Sequence, residues 1–581
     1  MNKESKTPKF DALLNEILEN LAPHERECEW KDISKYCEKK FEITAEDINF
    51  YKLLRVPPPK LCPTCRRQKR FSFVNQINLY KRPNNAPGSK DKIISYVPLV
   101  SSLIVYDIKS YQDNFDPYTY GTFYDAKRPF FEQFLDFRLK VPQPSIIRDP
   151  SNINSEYSIN GRNLKNGYYV SGGWMSEDVW YSVNVFSSRS VMDCLIVRNV
   201  ENSYELVSSD KCYNCRYLYF SDNCIDSQFL YDCNNCIKCF GCVNLRNKSY
   251  CFFNEQLTKE NYEEKIQELN LPSRDLLSKI KERFWEFVKI HPVRASRHER
   301  TENVSGVNIF NSRNCYDIIY ARRTEHSLHC DQLLGNRDSM DASISGGSEK
   351  LYQTIGIGSD SSNVKFSFLS KFILDSEFLI NCRNVQNCFA CVGLENKNYC
   401  IFNYQYEPKK YFKELDKIKF VLLGKGEYGE FPPFTMSSFA YNGSQADFVF
   451  PLNKAEVQKM GALWQPDMEI DVGDMATLSA QEIPDTITEV DDEIMNKAII
   501  CEETGRPFRI VKSELKFYRD NNIPIPTIHP HQRMRTRFSH IGNYRMHDGV
   551  CELCNIKIKT FYNSKENWHL YCDQCYKDNY L

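Results

Sequence analysis

CRYLYFSDNCIDSQFLYDCNNCIKCFGCVNLRNKSYCFFN, residues 215–254, places five cysteines nine residues apart: Cys215, Cys224, Cys233, Cys242 and Cys251. The spacing returns as Cys382, Cys391 and Cys400. A fixed short period means one small structural unit repeated, and such units stack on themselves. Short apolar or aromatic runs (RYLYF, SQFLY, IKCFG) alternate with turn-rich clusters (SDN, YDCNN, NLRNK), which reads as short strands punctuated by turns. A nine-residue strand-plus-turn unit with two units per coil predicts a β-solenoid.

Working outward, FLYDCNNCIKCFGCVNLRNKSYCFFN (229–254) recurs as FLINCRNVQNCFACVGLENKNYCIFN (378–403), an offset of 149 residues. Upstream the offset is 148: Asn166 with Asn314, Tyr168 with Tyr316, Met192-Asp193 with Met340-Asp341, Tyr204 with Tyr352. Downstream, KENYEEKIQEL (259–269) matches PKKYFKELDKI (408–418), a polar helix closing each copy. Knuckle-like spacings such as Cys212xxCys215 and Cys233xxCys236xxCys239xxCys242 offer metal as one reading of these thiols. The second copy puts Val385 where the first has Cys236, and a packing position tolerates that exchange where a ligand does not. The reading favoured is a ladder of buried thiols.

The metal chemistry is expected at the ends. Cys551-Glu-Leu-Cys554 and Cys572-Asp-Gln-Cys575 are two CxxC knuckles at the separation of a four-thiolate zinc ribbon, a closed structural site with no open position for catalysis. Cys28, Cys37, Cys62 and Cys65 form a second, looser set. The two ends also resemble each other. Residues 37–71 align with 501–538, Cys37 on Cys501, Phe50-Tyr51 on Phe517-Tyr518, and Cys62/Cys65 on His529 and Gln532. Cys501, His529 and His531 are therefore a remnant ligand set. The segment after Tyr80 aligns with the C-terminal ribbon but carries Asn85, Gly88, Asp107 and Ser110 near the ligand positions, so its metal is expected to be lost. Arg66, Arg67, Lys69 and Arg70 in one copy, and Arg533, Arg535 and Arg537 in the other, offer a nucleic-acid contact beside the zinc modules; the alternative is a solvated face.

Composition sets the frame. Lys plus Arg (75) nearly balances Asp plus Glu (76), so no global field draws the chain to nucleic acid or membrane. The first 21 residues lack the apolar core of a signal peptide; Phe10, Leu13, Leu14, Ile17, Leu18 and Leu21 instead make one face of an amphipathic helix. A soluble cytoplasmic protein, neither secreted nor membrane-bound, is expected, and its 24 cysteines are then ligands or buried thiols rather than disulfides. Residues 272–292 read as a helix capped by Ser273. Gly424-Lys-Gly426-Glu-Tyr-Gly429 fits GxGxxG but runs into Glu-Phe-Pro-Pro, so no helix N-terminus follows to hold a phosphate. No catalytic residues are assigned. Asp193, Asp210, Asp338, Asp341 and Asp360 fall on the repeat, where Asp is the ordinary turn residue.

FYKLLRVPPPKLCPTCRRQKRF, RPFFEQF (128–134), CFGCVNLRNKSY and CEETGRPFRIVKSELKFYRDNNIP together resemble a family of uncharacterised, cysteine-rich zinc-binding proteins of candidate-phyla-radiation bacteria, with relatives in giant DNA viruses. The resemblance covers nearly the whole chain and implies zinc binding but no activity; the CoA-transferase (CaiB/BaiF) name that some relatives carry has no support in these residues. The organisation expected is a mainly β protein: an N-terminal zinc-knuckle module with a degenerate ribbon (1–150), a first solenoid copy with capping helix (151–270), a helical linker (271–300), a second copy with capping helix (301–420), a connector (421–498) and a C-terminal module with a four-cysteine zinc ribbon (499–581). The function expected is a non-enzymatic zinc-binding scaffold that presents a solenoid surface to protein partners, with one or two Zn2+ and, in a virus, a place in the virion or viral factory. The alternatives are nucleic-acid binding through the basic modules and an enzyme with an acidic groove on the solenoid.

Overall fold

The computed structural model describes residues 5–75, 78–269, 273–466, 472–563 and 565–581. The first four residues, the start of the expected linker helix (271–272) and part of the expected connector (467–471) lie outside the described residues. The chain is rich in sheet, and the strands of the repeat region run parallel.

Pairing in the repeat follows one rule: each strand lies beside the segment twelve residues further on. Arg162 pairs with Trp174, Tyr204 with Arg216, Leu218 with Leu230, Arg313 with Glu325 and Arg383 with Glu395. The expected nine-residue unit, two to a coil, is therefore replaced by a twelve-residue return. The smaller period is three. Every third residue sits in the left-handed region, in an unbroken run such as Tyr217, Phe220, Asn223, Asp226, Phe229 and Asp232. Asn and Asp tolerate that conformation best, which accounts for their density here, whereas Ile196 and Ile344 adopt it against their β-branched preference. The next third of the residues points inward. Leu206, Cys212, Cys215, Leu218, Cys224, Leu230, Cys233, Cys236, Cys239 and Cys242 all share one phase and are buried. Nine residues is thus three quarters of a return, and the cysteine spacing is a subset of a denser pattern.

The small inward residues, serine and cysteine, carry a donor that meets the carbonyl each turn leaves facing in. Ser176 donates to the carbonyl of Trp174 (2.9 Å) and accepts from the N–H of Ser188 (3.1 Å), which does the same for Val200. Thiols take the same role. Cys215 Sγ donates toward the Tyr213 carbonyl at 3.3 Å, and Cys233 Sγ lies 3.4 Å from the Cys242 carbonyl. A buried thiol meets the carbonyl that an alkyl group would leave unmet.

The second copy keeps the rule with two slips: Glu302 pairs with Arg313, eleven on, until a bulge between Val304 and Gly306 restores twelve, and the other slip lies further along. Ser343 pairs with Ile355, twelve on, but Glu349 pairs with Ser362, thirteen on. One extra residue in the Gly356–Gly358 corner shifts the buried phase from Ile357 to Val364. This is the step between the two offsets, 148 and 149, visible in the sequence.

The chain forms two compact units, neither contiguous. One comprises 1–146, 296–465 and 544–546, so the N-terminal modules belong with the second copy of the repeat. The other comprises 147–295, 466–543 and 547–581, placing the C-terminal modules with the first copy. In each unit a helix leads into a strand that pairs with a ribbon module. Helix Phe130–Lys140 leads to Gln143–Pro144 beside Val105–Tyr106, and helix Arg274–Lys289, capped by Ser273, leads to Pro292–Arg294 beside His569–Tyr571. Helix Lys259–Glu268 follows the first copy and helix Pro408–Gly424 the second. The N-terminal helix runs Pro8–Glu19 and buries Phe10, Leu14 and Leu18. Among the described residues no helix is long and apolar enough to cross a membrane.

Candidate metal centres

Four small modules share one plan: a β-hairpin, then a helix whose N-cap residue returns to the end of the hairpin's first strand. In 24–71 the hairpin is His24–Glu27 with Lys40–Ile43; Cys28 follows its first strand and Cys37 sits in its loop. Cys62 caps helix Pro63–Phe71 and Cys65 lies in its first turn. The Cys62 N–H donates to Cys28 Sγ (3.2 Å), and Cys37 Sγ is 4.0 Å from Cys62 Sγ. In 547–580 the hairpin is His547–Val550 with Lys557–Thr560, and Cys572 caps helix Asp573–Tyr580. Cys572 N–H donates to Cys551 Sγ (3.2 Å), Cys575 N–H to Cys572 Sγ (3.4 Å), and Cys554 Sγ lies 3.7 Å from Cys572 Sγ.

In each of these modules the four sulfurs lie within 4.8 Å of one another. A tetrahedral ion with metal–sulfur bonds of about 2.3 Å needs sulfurs roughly 3.8 Å apart. Both sets fit a metal ion, one in each unit, and among the described residues no other group of three or more His, Cys, Asp or Glu is so arranged. The N–H groups that meet the sulfurs also favour thiolate. Cys28 is held far below the ordinary thiol range by hydrogen bonding to Cys62 and Cys65, and Cys551 is lowered to about 6 because N–H groups of Cys572, Cys554 and Leu553 outweigh its burial. The centres differ in cover. Cys28, Cys62 and Cys65 are buried, whereas Cys554 is exposed, with Leu553 and Ile556 about half exposed beside it.

The other two modules keep the plan without such a set. In 498–540, Cys501 follows strand Ala498–Ile500, and the N–H of His529, the N-cap of helix Pro530–His540, donates to its sulfur (3.3 Å). Cys501 therefore occupies the place of Cys28, not that of Cys37 as the alignment has it. His529 Nδ1 accepts from the His531 N–H (3.1 Å), and burial lowers His529 to about 3. Cys501, His529 and His531 do not come together as a ligand group among the described residues, and Gln532 stands where the helix of a four-cysteine module supplies a ligand. In 80–114, Asn84 rather than Asn85 takes the first ligand position. Asp107 caps helix Ile108–Asn114, its N–H donating to Asn84 Oδ1 (3.3 Å), Asn84 Nδ2 donating to Asp107 Oδ2 (2.7 Å) and the Ser110 N–H to Asp107 Oδ1 (2.9 Å). A hydrogen-bonded Asn–Asp pair ties the module at the place where the four-cysteine modules gather their sulfurs.

Most of the basic residues face inward. Arg66 and Arg70 close on Asp341 at 2.7 and 2.9 Å, and Arg67 on Asp331 at 2.8 Å, all buried. In the other unit Arg533 and Arg537 close on Asp193 at 3.2 and 2.8 Å. Lys69 is buried near Glu430 and its ammonium faces the Trp30 ring; Arg535 is half-buried. The repeated Met-Asp thus supplies counter-ions that dock the modules onto the repeat, which also removes Asp193 and Asp341 from any acidic groove. Sequence reasoning missed one further pair. His329, between Asp317 (2.6 Å) and Asp47 (3.2 Å), is raised to about 9 against the pull of burial. Its counterpart is Tyr181, whose hydroxyl donates to Glu514 Oε2 at 2.9 Å, with burial raising Glu514 to about 7.

Compared with protein-family models and with curated proteins, the chain matches none.

Proposed function

We propose that the protein is a non-enzymatic zinc-holding scaffold whose repeat copies are β-solenoids that present flat faces to protein partners. A closed set of four thiolates with no carboxylate or water position suits a structural zinc ion, and the tie it makes is the one that Asn84–Asp107 makes without metal. The observation that carries the scaffold reading is an exposed ladder on the first copy. Tyr213, Ile225 and Ile237 stack in parallel register twelve residues apart, each more than a third exposed. Beside them Asn202 donates to Asn214 and Asn214 to Asp226, fixing the face flat. At the equivalent positions the second copy has Ser362, Leu374 and Gln386, so the apolar ladder belongs to one copy alone. Exposed apolar residues in a rigid row are a contact surface rather than a catalytic one.

The test is retention of a macromolecule by the purified full-length chain from an extract of its native host, compared with a Tyr213→Lys/Ile225→Lys/Ile237→Lys variant. A partner held by the parent and lost by the variant supports the reading. Equal retention, or none, overturns it. Metal analysis should find two zinc ions per chain.

A further inference from the structure

Each buried arginine that docks a module meets a carboxylate; Arg138 does not. It sits in the last turn of helix Phe130–Lys140 and is 1% exposed. Its Nη2 donates to Ser438 Oγ at 2.6 Å, while Nε and Nη1 have no acceptor. Ser438 Oγ in turn donates to Gln143 Oε1 at 3.4 Å, and the buried Nε2 of Gln143 also lacks an acceptor. The Phe368 ring lies 5.3 Å from the guanidinium carbon, a weak partial compensation. Tyr96 is the one ionisable group whose charge bears on it, and burial lowers Arg138 to about 9. A guanidinium stays protonated at neutral pH, and an uncompensated buried charge is among the costliest features a fold can hold. The counterpart in the other unit, 150 residues on by the pairing of Pro144 with Tyr106 and of Arg294 with Tyr571, is the buried Val288, so that unit has no such charge to neutralise.

We propose that Arg138, Ser438 and Gln143 form a buried site for a small monovalent anion of the chloride class, bound on one edge of the Arg138 guanidinium and by Gln143 Nε2. These are donors only, which selects an anion over a cation, and a single negative charge balances the single guanidinium. Crystals of the full-length protein grown in sodium bromide should show an anomalous peak within hydrogen-bond distance of Arg138. A water-strength density without anomalous signal overturns the site. In solution, replacing gluconate by chloride at fixed ionic strength should raise the unfolding midpoint saturably. Arg138→Met should abolish that rise, and Gln143→Leu should increase the half-saturating chloride concentration several-fold. Should Arg138→Met fail to fold, the bromide peak and the Gln143→Leu titration decide. A midpoint indifferent to chloride, or a response unchanged in Gln143→Leu, refutes the proposal.

Discussion

The two units solve the same docking problem with different chemistry. In both, a helix that begins at a ligand position lays arginines on the aspartate of a repeated Met-Asp: Arg66 and Arg70 on Asp341, Arg533 and Arg537 on Asp193. Between them the first unit adds the buried pair Arg67–Asp331, whereas the second has Met534 and Val183 at the corresponding places. The units also place their four-cysteine sets oppositely. In one the metal set sits in the module bearing the docking helix; in the other it sits in the ribbon that follows. The shared plan therefore requires a tie between N-cap and hairpin. Metal, an Asn–Asp pair or a Cys501–His529 contact each supplies it.

The largest effect expected comes from cutting a metal tie. Structural zinc contributes on the order of 10–16 kcal/mol in small modules, so Cys62→Ser or Cys572→Ser should unfold its module and lower bound metal by one ion, read by elemental analysis and hydrogen exchange. Because Cys554 is exposed and Cys28, Cys62 and Cys65 are buried, a chelator should strip the C-terminal ion first. Simultaneous loss would erase the contrast between the centres.

Next comes the pair that one unit has and the other lacks. Asp331→Val alone leaves Arg67 buried and should cost about 3–5 kcal/mol. Adding Arg67→Met copies the other unit and should restore stability to the parent level or above, measured by denaturant unfolding. A double variant as weak as the single one would show that the pair is not an interchangeable solution.

The units should also part with pH. His329 is raised from 6.5 to about 9, so its contribution is complete below pH 6.5 and is lost as pH rises through 9. Glu514 is raised from 4.5 to about 7, so its contribution is complete below pH 4.5 and is lost as pH rises through 7. Between pH 4.5 and 6.5 the second unit should weaken while the first holds, as followed by peptide-resolved hydrogen exchange. Glu514→Gln should flatten that slope.

The smallest effect belongs to the interior thiols. Cys236→Ser keeps both size and donor and should change stability by about 1 kcal/mol or less, whereas Cys236→Leu overpacks the return and should cost about 1–3 kcal/mol. Cys236→Val, the exchange already made at position 385, should fall between them in the same unfolding measurement.

Much of this was legible in the chain. CxxC pairs announce a metal set because ligand spacing is local, and the duplication is plain from aligned Met-Asp and CFxC motifs. The period was harder to read. Cysteines nine apart are conspicuous, but the serines, valines and leucines that share their phase are common residues, so the underlying three and twelve are hidden. Asn84 escaped notice because a hydrogen-bonded amide carries no motif. The arginines were read as basic patches because charge in a sequence does not say which way it faces.

By itself the sequence determined that the middle of the chain is a duplicated repeat, that four cysteines gather at each end, and that the end modules resemble each other, since each is carried by motifs written in the residues themselves. Only the tertiary structure decided that the N-terminal modules belong with the second copy and the C-terminal ones with the first. It also decided that the basic residues are counter-ions and that Arg138 is buried with no carboxylate to meet it. The reason is physical: the partner of a buried charge is chosen by desolvation across hundreds of residues, which no local pattern records.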